Sequence, residues 1–260
     1  MNDIALTRHQ ITRVRRETRR RTLTVTAVER LTPQMQRIRF ESPDLHDFAS
    51  DAPDDHIKLM FTTLMGEGRN GSDLAMRDYT PRAFDPAAGT LTLDFALHEV
   101  AGPATAWALA AKPGDQLDIG GPRGSSVLAD DFDWYLLIGD ETALPAIGRR
   151  LEGLRADVPV TTLIAIESDA DRQSIATRAA WTAHWLPRDG KSQQGDAELF
   201  RAALAKLSPP RGDGYVWIAA EGRAARVMRD YALTTLGHPM AWVKAAGYWV
   251  QGEAGAGHHG

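Results

Sequence analysis

The segment 77–82 holds side chains that could bind a phosphorylated aromatic molecule. It reads Arg-Asp-Tyr-Thr-Pro-Arg and lies on a predicted strand. Arginine binds phosphate through paired hydrogen bonds, and a tyrosine ring can stack on a planar ring. A surface strand with a salt bridge is the alternative interpretation. Because side chains alternate along a strand, we predict Arg77, Tyr79 and Pro81 on one face and Asp78, Thr80 and Arg82 on the other.

Two turns could hold phosphate groups. Gly102 and Pro103 open a predicted helix over 104–111, and the free N–H groups of a helix N-terminus bind anions. The turn 120–126 reads Gly-Gly-Pro-Arg-Gly-Ser-Ser and carries Arg123, but it lacks the lysine pattern of a phosphate-binding P-loop. A plain helix start and a turn at a domain junction are the alternatives.

Two strand-to-helix turns could form a ligand crevice. The turn 139–145 follows a buried strand predicted at 134–138, and the segment 215–222 repeats that design. Open α/β sheets bind ligands outside the carboxyl ends of their strands. Neither turn has the Gly-x-Gly-x-x-Gly fingerprint, so the pair of turns supports a nucleotide site more than either turn alone.

The hydrophobic pattern predicts two folded domains that would position these residues. Short alternating strands fill the first half of the chain, which favours a sandwich or barrel. Beyond residue 130, apolar strands alternate with helices, which indicates βαβ units and a parallel sheet. The first set of strands is predicted at 23–28, 35–40, 56–61, 79–84, 90–97 and 116–119. The second set is predicted at 134–138, 160–166, 183–186 and 215–220, with helices at 144–155, 197–207 and 224–236.

The first 21 residues differ from the rest in charge, because seven arginines stand there against Asp3 and Glu17. A solvated or frayed arm is one interpretation, and a functional basic arm is the other. The predicted organisation is a basic arm at 1–21, a barrel domain at 22–129, an α/β domain with a C-terminal segment at 130–250, and a flexible tail at 251–260.

Composition excludes several classes of function. The 260 residues include 30 basic and 34 acidic side chains. The resulting net charge of −4 lacks the excess of basic residues that is typical of nucleic-acid-binding proteins. The chain has no cysteine, which excludes disulfides, cysteine-ligated zinc, a catalytic thiol and iron–sulfur clusters on thiolates. No apolar run is long enough for a membrane span and no signal peptide is visible, so we predict a cytoplasmic protein.

Five segments, in this order, resemble the siderophore-interacting protein family, which comprises flavin-dependent ferric-siderophore reductases of the ferredoxin-reductase superfamily. The resemblance runs from about Thr22 to Trp249. Where the superfamily often has Cys-Gly at its last strand-to-helix turn, this chain has Ala-Glu-Gly at 220–222, which argues against a ferredoxin–NADP reductase proper. The segments are Arg-x-Tyr-Thr-x-Arg (77–82), Gly-Pro-Ala-x-x-Trp-Ala (102–108), Gly-Pro-Arg-Gly-Ser (121–125), Gly-Asp-Glu-Thr-Ala-Leu-Pro-Ala (139–146) and Gly-Tyr-Trp (247–249).

The resemblance implies an FAD held between an antiparallel six-stranded FAD-binding barrel and a Rossmann-like NAD(P)-binding domain with a parallel sheet. In the family's pattern the 77–82 strand lines the flavin, and the region 98–105 holds the pyrophosphate and adenine side. The implied cofactor-binding residues are Arg77, Tyr79, Thr80, Arg82, Asp94, His98, Gly102, Ala104, Thr105, Asp140, Glu141, Thr142, Ala143, Tyr248 and Trp249.

The resemblance also implies a basic pocket for a ferric siderophore, because many ferric siderophores are anionic. Lys58, Arg123 and Lys244 match basic positions that the family places near the flavin, and His56 is a weaker candidate. A barrel-edge lysine is the alternative for Lys58, and a solvated lysine is the alternative for Lys244.

The implied reaction transfers electrons from NADPH or NADH through flavin to Fe(III) in a docked siderophore, which releases Fe(II). Acidic residues and Arg172 both follow the second α/β strand, so either the ribose 2′-OH of NADH or the 2′-phosphate of NADPH could be bound. Ferredoxin is a third possible donor. Outer-sphere electron transfer needs no general acid or base, so no catalytic residue and no metal ligand are assigned. We also predict that the protein is a monomer. The alternatives are a non-catalytic flavin- or siderophore-binding protein and a general flavin reductase on the same fold.

Overall fold

The computed structural model describes residues 8–64, 72–98 and 102–252. The composition of residues 66–72 predicts a polar loop. Of these residues only Ser72 falls within the described ranges, and of the predicted tail only residues 251 and 252 do. Within these ranges, no helix combines the length and the apolar character needed to cross a membrane.

The N-terminal half of the described chain is mostly β-structure, with a single α-helix. Its elements are β1 (Ile11–Arg15), β2 (Arg20–Thr32), β3 (Met35–Glu41), β4 (Ile57–Leu64), β5 (Ser72–Tyr79), β6 (Pro81–Asp85), β7 (Thr90–Ala96), α1 (Pro103–Ala110), β8 (Gln116–Gly120) and β9 (Gly124–Leu128). Seven of the strands form a curled antiparallel sheet in the order β5-β4-β8-β2-β3-β7-β6, and β1 pairs separately with β9.

The predicted count of six barrel strands is wrong, because the strand expected at 79–84 is divided at Thr80. β5 pairs with β4 at one edge of the sheet, and β6 pairs with β7 at the other edge. Pro81 has no N–H to donate, which favours a break in the hydrogen-bonding pattern at this point. Since only Thr80 separates β5 from β6, the sheet must curl until its two edges meet. We call the Tyr79–Thr80–Pro81 junction the seam.

Alternating apolar residues fill the interior of this half-barrel. Leu23 and Val25 on β2, Ile38 and Phe40 on β3 and Leu59 on β4 are almost completely buried in one cluster. Helix α1 covers one opening of the cluster, and the ring of its Trp107 lies about 6 Å from three core phenylalanines. The strand alternation visible in the sequence therefore describes a core-facing surface, as predicted.

The C-terminal half is a parallel sheet with helices on both faces. Its elements are β10 (Trp134–Gly139), α2 (Leu144–Gly153), β11 (Pro159–Ile166), β12 (Ala180–Pro187), α3 (Asp196–Leu204), β13 (Gly214–Glu221), α4 (Gly222–Thr234) and β14 (Val243–Trp249). The strand order is β12-β11-β10-β13-β14. Successive residues of β10 point to opposite faces, so Leu137 packs in the core beneath α2 while Leu136 packs beneath α3 and α4. This confirms the predicted parallel α/β sheet.

The arginine-rich N-terminal segment, described from Arg8 onward, contacts both halves of the chain. Arg21 is buried and donates to the carboxylate of Asp47 at 2.8 Å. The imidazole of His9 stacks on Phe132 at 3.8 Å, and its two ring nitrogens lie 2.9 and 3.0 Å from carboxylate oxygens of Asp131 and Asp213. His9 and Arg21 therefore attach the segment to both halves, while the side chains of Arg13, Arg15 and Arg20 are exposed.

Replacing His9 with alanine should lower the free energy of unfolding by about 1–3 kcal/mol, because it removes two charge-assisted hydrogen bonds and a ring contact. Chemical denaturation followed by circular dichroism measures the change. His46→Ala is the matched control, since His46 is exposed and its imidazole lies at hydrogen-bond distance, 3.0 Å, from the carbonyl of Pro43. Equal losses in the two variants would contradict a docking role for His9.

Candidate functional site

The parallel sheet changes the direction of its strand order between β10 and β13. The crevice outside the strand ends at such a point is where open α/β sheets bind ligands. The two turns singled out in the sequence follow these two strands and so lie side by side. Gly139 is needed there, because a Cβ at this position would come within 2.5 Å of the Cβ of Ala143 and 2.8 Å of the carbonyl oxygen of Ala219.

Asp140 is a fully buried carboxyl group that joins three strand ends. Its Oδ1 accepts hydrogen bonds from the backbone N–H and the hydroxyl of Thr142 at 2.9 and 2.5 Å. Its Oδ2 accepts from the backbone N–H of Glu221 at 3.1 Å and from the indole N–H of Trp249 at 2.9 Å. Burial, followed by the nearby Glu141 carboxylate, raises the pKa of Asp140 to about 7, against the opposing effect of these hydrogen bonds.

A buried ionic network continues from Asp140. The guanidinium of Arg188 donates to both oxygens of Glu141 at 3.2 and 2.9 Å and to both oxygens of Asp196 at 2.7 and 2.6 Å. The amide of Gln193 also donates to Glu141 at 2.8 Å. Arg188 and Asp196 have no exposed surface. This network fixes the carboxylate of Glu141, so Glu141 acts in the structure as a member of an ion-pair cluster.

His98 lies at the end of the described β7 segment, close to this network. Burial lowers the pKa of His98 below its usual value, Glu141 opposes that change and Arg188 adds to it, so the ring is neutral at pH 7. Its ring centre is 6.1 Å from that of Trp249. The barrel therefore supplies a neutral imidazole beside the aromatic end of β14.

The seam brings the 77–82 motif against the end of β14. The ring of Tyr79 packs 4.6 Å from Phe95 on the inner side of the barrel. Thr80 is buried and hydrogen-bonded to Tyr248, and burial raises the pKa of the Tyr248 hydroxyl. A β-bulge between β13 and β14 places Tyr248 out of register with its neighbours. Bulges are frequent beside active sites because they redirect a side chain.

The two arginines of the motif have different environments. Arg77 is half-buried, and its guanidinium donates to the carbonyl of Met76 at 2.8 Å. Arg82 donates to both carboxylate oxygens of Glu152 on α2 at 2.9 and 2.5 Å. It packs across Gly148, where a Cβ would lie 3.1–3.2 Å from the guanidinium. Arg82 therefore joins the two domains, whereas the guanidinium of Arg77 lies within ion-pair distance of no carboxylate in the described part of the chain.

Asp94 is also engaged with protein groups. It is buried on β7, and both of its oxygens accept from Arg37 at 2.7 and 2.8 Å. Its Oδ2 also lies 3.7 Å from Nε of Arg82. This carboxylate supports the barrel side of the seam.

The N-terminus of α1 is open toward solvent. Gly102 caps the helix without a side-chain hydrogen bond, and a Cβ there would meet nothing within 4 Å. Ala104 and Thr105 are buried beneath the first turn and anchor it to the barrel. The free N–H groups of this turn could therefore bind a phosphate.

The predicted substrate residues lie in the segment 54–58 or next to it. Lys58 pairs across the sheet with Gly120, close to the turn that carries the exposed Arg123. Lys244 on β14 places its Nζ 2.6 Å from Asp54. His56 lies between Asp54 and Lys58 in the same segment.

Both halves of the chain match known families. Residues 24–126 match the siderophore-interacting FAD-binding domain, and residues 132–252 match the siderophore-interacting protein family. The chain belongs to the siderophore-interacting protein family. Together the two matches cover the barrel and the parallel sheet, so family membership applies to both domains.

Individual family members are similar over nearly their whole length. The NADPH-dependent ferric-chelate reductase of Escherichia coli (strain K12) is 34% identical over 91% of this chain and 95% of that protein. The ferric vibriobactin reductase of Vibrio cholerae is 26% identical over 86% of each chain. The crystal structure of a siderophore utilization protein from T. fusca superposes with a TM-score of 0.87, at 33% identity, over 96% of this chain and 100% of that one.

The residues present fit the FAD that the family implies. A dinucleotide has two phosphates and two planar ring systems, and it needs donors for the first and aromatic surface for the second. The open first turn of α1 and the guanidinium of Arg77 supply donors, and Tyr79, Tyr248 and Trp249 supply aromatic surface. These groups lie on the barrel, at the seam and at the end of β14.

Sequence reasoning missed three residues of this region: Asp54, Arg149 and Arg188. Arg149 donates to the carbonyl and hydroxyl of Ser50 at 2.8 and 2.9 Å, which joins α2 to the barrel. Nothing in the local sequence of Arg188 reveals that it is buried, because its carboxylate partners lie 47 and 8 positions away. Ala143 was expected to touch the cofactor, and the structure places it in the core beneath α2.

Proposed function

We propose that this protein is an FAD-dependent ferric-siderophore reductase that takes its electrons from NADPH. The observation that carries the proposal is the contact between the seam and β14, where Thr80 of the flavin motif meets Tyr248 beside the ligand crevice of the parallel sheet. This contact supports the proposal, because it joins the surface that we assign to FAD to the crevice that we assign to NADPH. The relative named as an NADPH-dependent ferric-chelate reductase supports the same activity.

In this proposal the chain binds and orients its ligands and excludes water. The first turn of α1 and Arg77 hold the phosphates, and Tyr79 lines the flavin ring. When bound, FAD would accept a hydride from NADPH and return electrons singly to Fe(III). The buried Asp140 and Glu141 network fixes the crevice in which the nicotinamide would lie. Oxygen-rich chelators hold Fe(II) less tightly than Fe(III), so reduction releases the metal.

Arg172 is the residue proposed to select NADPH. It follows β11, its side chain is 52% exposed, and Asp169 holds it at 2.7 Å. An arginine at this position can accept a ribose 2′-phosphate, whereas an acidic residue binds the 2′-OH of NADH. Ferredoxin remains the alternative donor within the proposal.

The purified protein should be yellow or become yellow when FAD is added. Under anaerobic conditions, NADPH and a ferric siderophore should then give Fe(II), which a ferrous-specific trap detects, and NADH and reduced ferredoxin are tested in parallel. A colourless protein that cannot be reconstituted with FAD contradicts the proposal. Bleaching of the flavin without Fe(II) from any chelate would instead favour a general flavin reductase.

The proposal places the reaction in the cytoplasm, where NADPH is available, and assigns it to a monomer. The barrel and the parallel sheet of one chain supply every residue named in the site. Light scattering at the concentration used for turnover tests the monomeric state, and an active dimer would contradict it.

A further inference from the structure

The charge balance of the siderophore site deepens the proposed function and rests on it. Three exposed cations were expected to attract an anionic chelate: Lys58, Arg123 and Lys244. Two of them face a carboxylate at ion-pair distance, because Nζ of Lys58 is 2.6 Å from Asp78 and Nζ of Lys244 is 2.6 Å from Asp54. The site therefore presents much less positive charge than its lysines suggest.

Asp54 is a strong and permanent counter-ion. Its side chain is 5% exposed and also accepts from the indole N–H of Trp217 at 2.9 Å. Burial raises its pKa, but the charges of Lys244 and Arg150 outweigh burial and lower the pKa to about 2. The carboxylate is therefore ionised throughout the physiological pH range. Lys244 remains 35% exposed, so a substrate would meet an ammonium group whose charge is already balanced.

Asp78 holds its position through the sheet. It is the register partner of Lys58 across β4 and β5, so the backbone fixes the spacing of the pair. Its side chain is 14% exposed, against 42% for Lys58. The lysine can reach an arriving chelate only with its counter-ion beside it.

Two further arginines near Asp54 do not restore the missing charge at the surface. Arg150 lies 3.8 Å from Asp54, but its side chain is 8% exposed. Arg149 is directed to Ser50. Among the candidate substrate residues, Arg123 is exposed and lies within ion-pair distance of no carboxylate in the residues that the structure describes.

We propose that Asp54 and Asp78 are specificity-determining residues that make this site select ferric chelates of low net charge, such as trishydroxamates, over trianionic triscatecholates. Three hydroxamate anions balance the charge of Fe(III), whereas three catecholate dianions leave three negative charges on the complex. A neutral chelate loses no favourable binding free energy when the lysines are already paired with carboxylates. A trianion meets two carboxylates that repel it and gains little from neutralised lysines.

The test measures binding of gallium(III) chelates, which carry the charge of the ferric complexes but are not reduced. The wild-type holoprotein and the variants Asp78→Asn and Asp54→Asn are titrated with a neutral trishydroxamate and a trianionic triscatecholate at low salt. Asp230→Asn is the matched control, since Asp230 is 71% exposed on α4 and its change alters the net charge equally.

We expect the wild type to bind the neutral chelate at least as tightly as the trianion. Each test variant should bind the trianion about threefold to tenfold more tightly and the neutral chelate with less than a twofold change. The gain should shrink at high salt, because salt screens exposed charges. Asp78→Asn keeps the test decisive if Asp54→Asn is poorly folded.

Equal changes for the two chelates, an equal gain in Asp230→Asn, or a wild-type preference for the trianion would overturn the proposal. Chelate binding with the expected charge preference but without Fe(II) release from the ferric complexes would reject the reductase function alone. Binding of neither chelate would reject the site and the charge preference together.

Discussion

Replacing Arg188 with methionine should destabilise the protein by about 3–5 kcal/mol, the range typical of breaking a buried ion pair from one side. Arg188 has no exposed surface and donates to both oxygens of Glu141 and of Asp196. Methionine fills a similar volume but leaves two buried carboxylates without their cation. Urea denaturation followed by tryptophan fluorescence measures the loss.

Arg201→Met is the control for this change. Arg201 is exposed on α3, and its guanidinium lies 5.8 Å from the ring of Tyr231. The loss there should stay within about 1 kcal/mol. The destabilisation in Arg188→Met should also increase with pH, because the unpaired carboxylates can be buried more easily when protonated. A loss below about 1 kcal/mol, or one that does not vary with pH, would show that the network contributes little to the fold.

Replacing Arg77 with alanine should weaken FAD binding about 10- to 100-fold while the unfolding midpoint of the FAD-free protein stays nearly unchanged. A hydrogen bond from a guanidinium to a charged group contributes about 1.5–3 kcal/mol, which corresponds to this range of affinity. The guanidinium of Arg77 donates to the carbonyl of the neighbouring Met76, so its loss should cost the fold little. Titration of the FAD-free protein by quenching of flavin fluorescence measures the affinity.

The companion variant Arg82→Ala should behave in the opposite way. Arg82 holds Glu152 of α2 through two hydrogen bonds and covers Gly148, so its loss should reduce stability more than it reduces the affinity for FAD. If Arg77→Ala destabilises the FAD-free protein and leaves FAD affinity unchanged, then Arg77 has a structural role and the phosphates are bound elsewhere.

The local pattern of apolar and polar residues predicted most of the fold, because alternating and continuous apolar positions indicate which faces of a strand or helix are buried. The strands around Leu23, Ile38 and Leu93 face a core and were recognisable for that reason. β5 was located only at its end, because Ser72–Asp78 lacks a regular apolar alternation and forms an edge of the sheet. β1 and β9 were missed because they form a separate two-stranded ribbon with many exposed side chains.

The site was predictable where a motif carries it and unpredictable where distant charges meet. The turns at Gly139 and Glu221 could be placed at a crevice from the order of strands and helices alone. The partners of Lys58 and Lys244 could not, because a counter-ion such as Asp54 is separated from Lys244 by 190 positions and meets it only after the two domains pack. Such long-range ion pairs produce no periodic pattern in the sequence from which they could be predicted.

The seam at Thr80 gives the site a thermodynamic role as well as a chemical one. The two edges of the barrel sheet are joined there by one residue, and that residue also touches β14 of the other domain. A ligand that binds across the seam must favour the closed form of the sheet over any form in which the edges separate. Its binding free energy is therefore added to the cohesion of the barrel and to the docking of the two domains. Ligand binding and the closure of the folded barrel are therefore linked equilibria, and each favours the other.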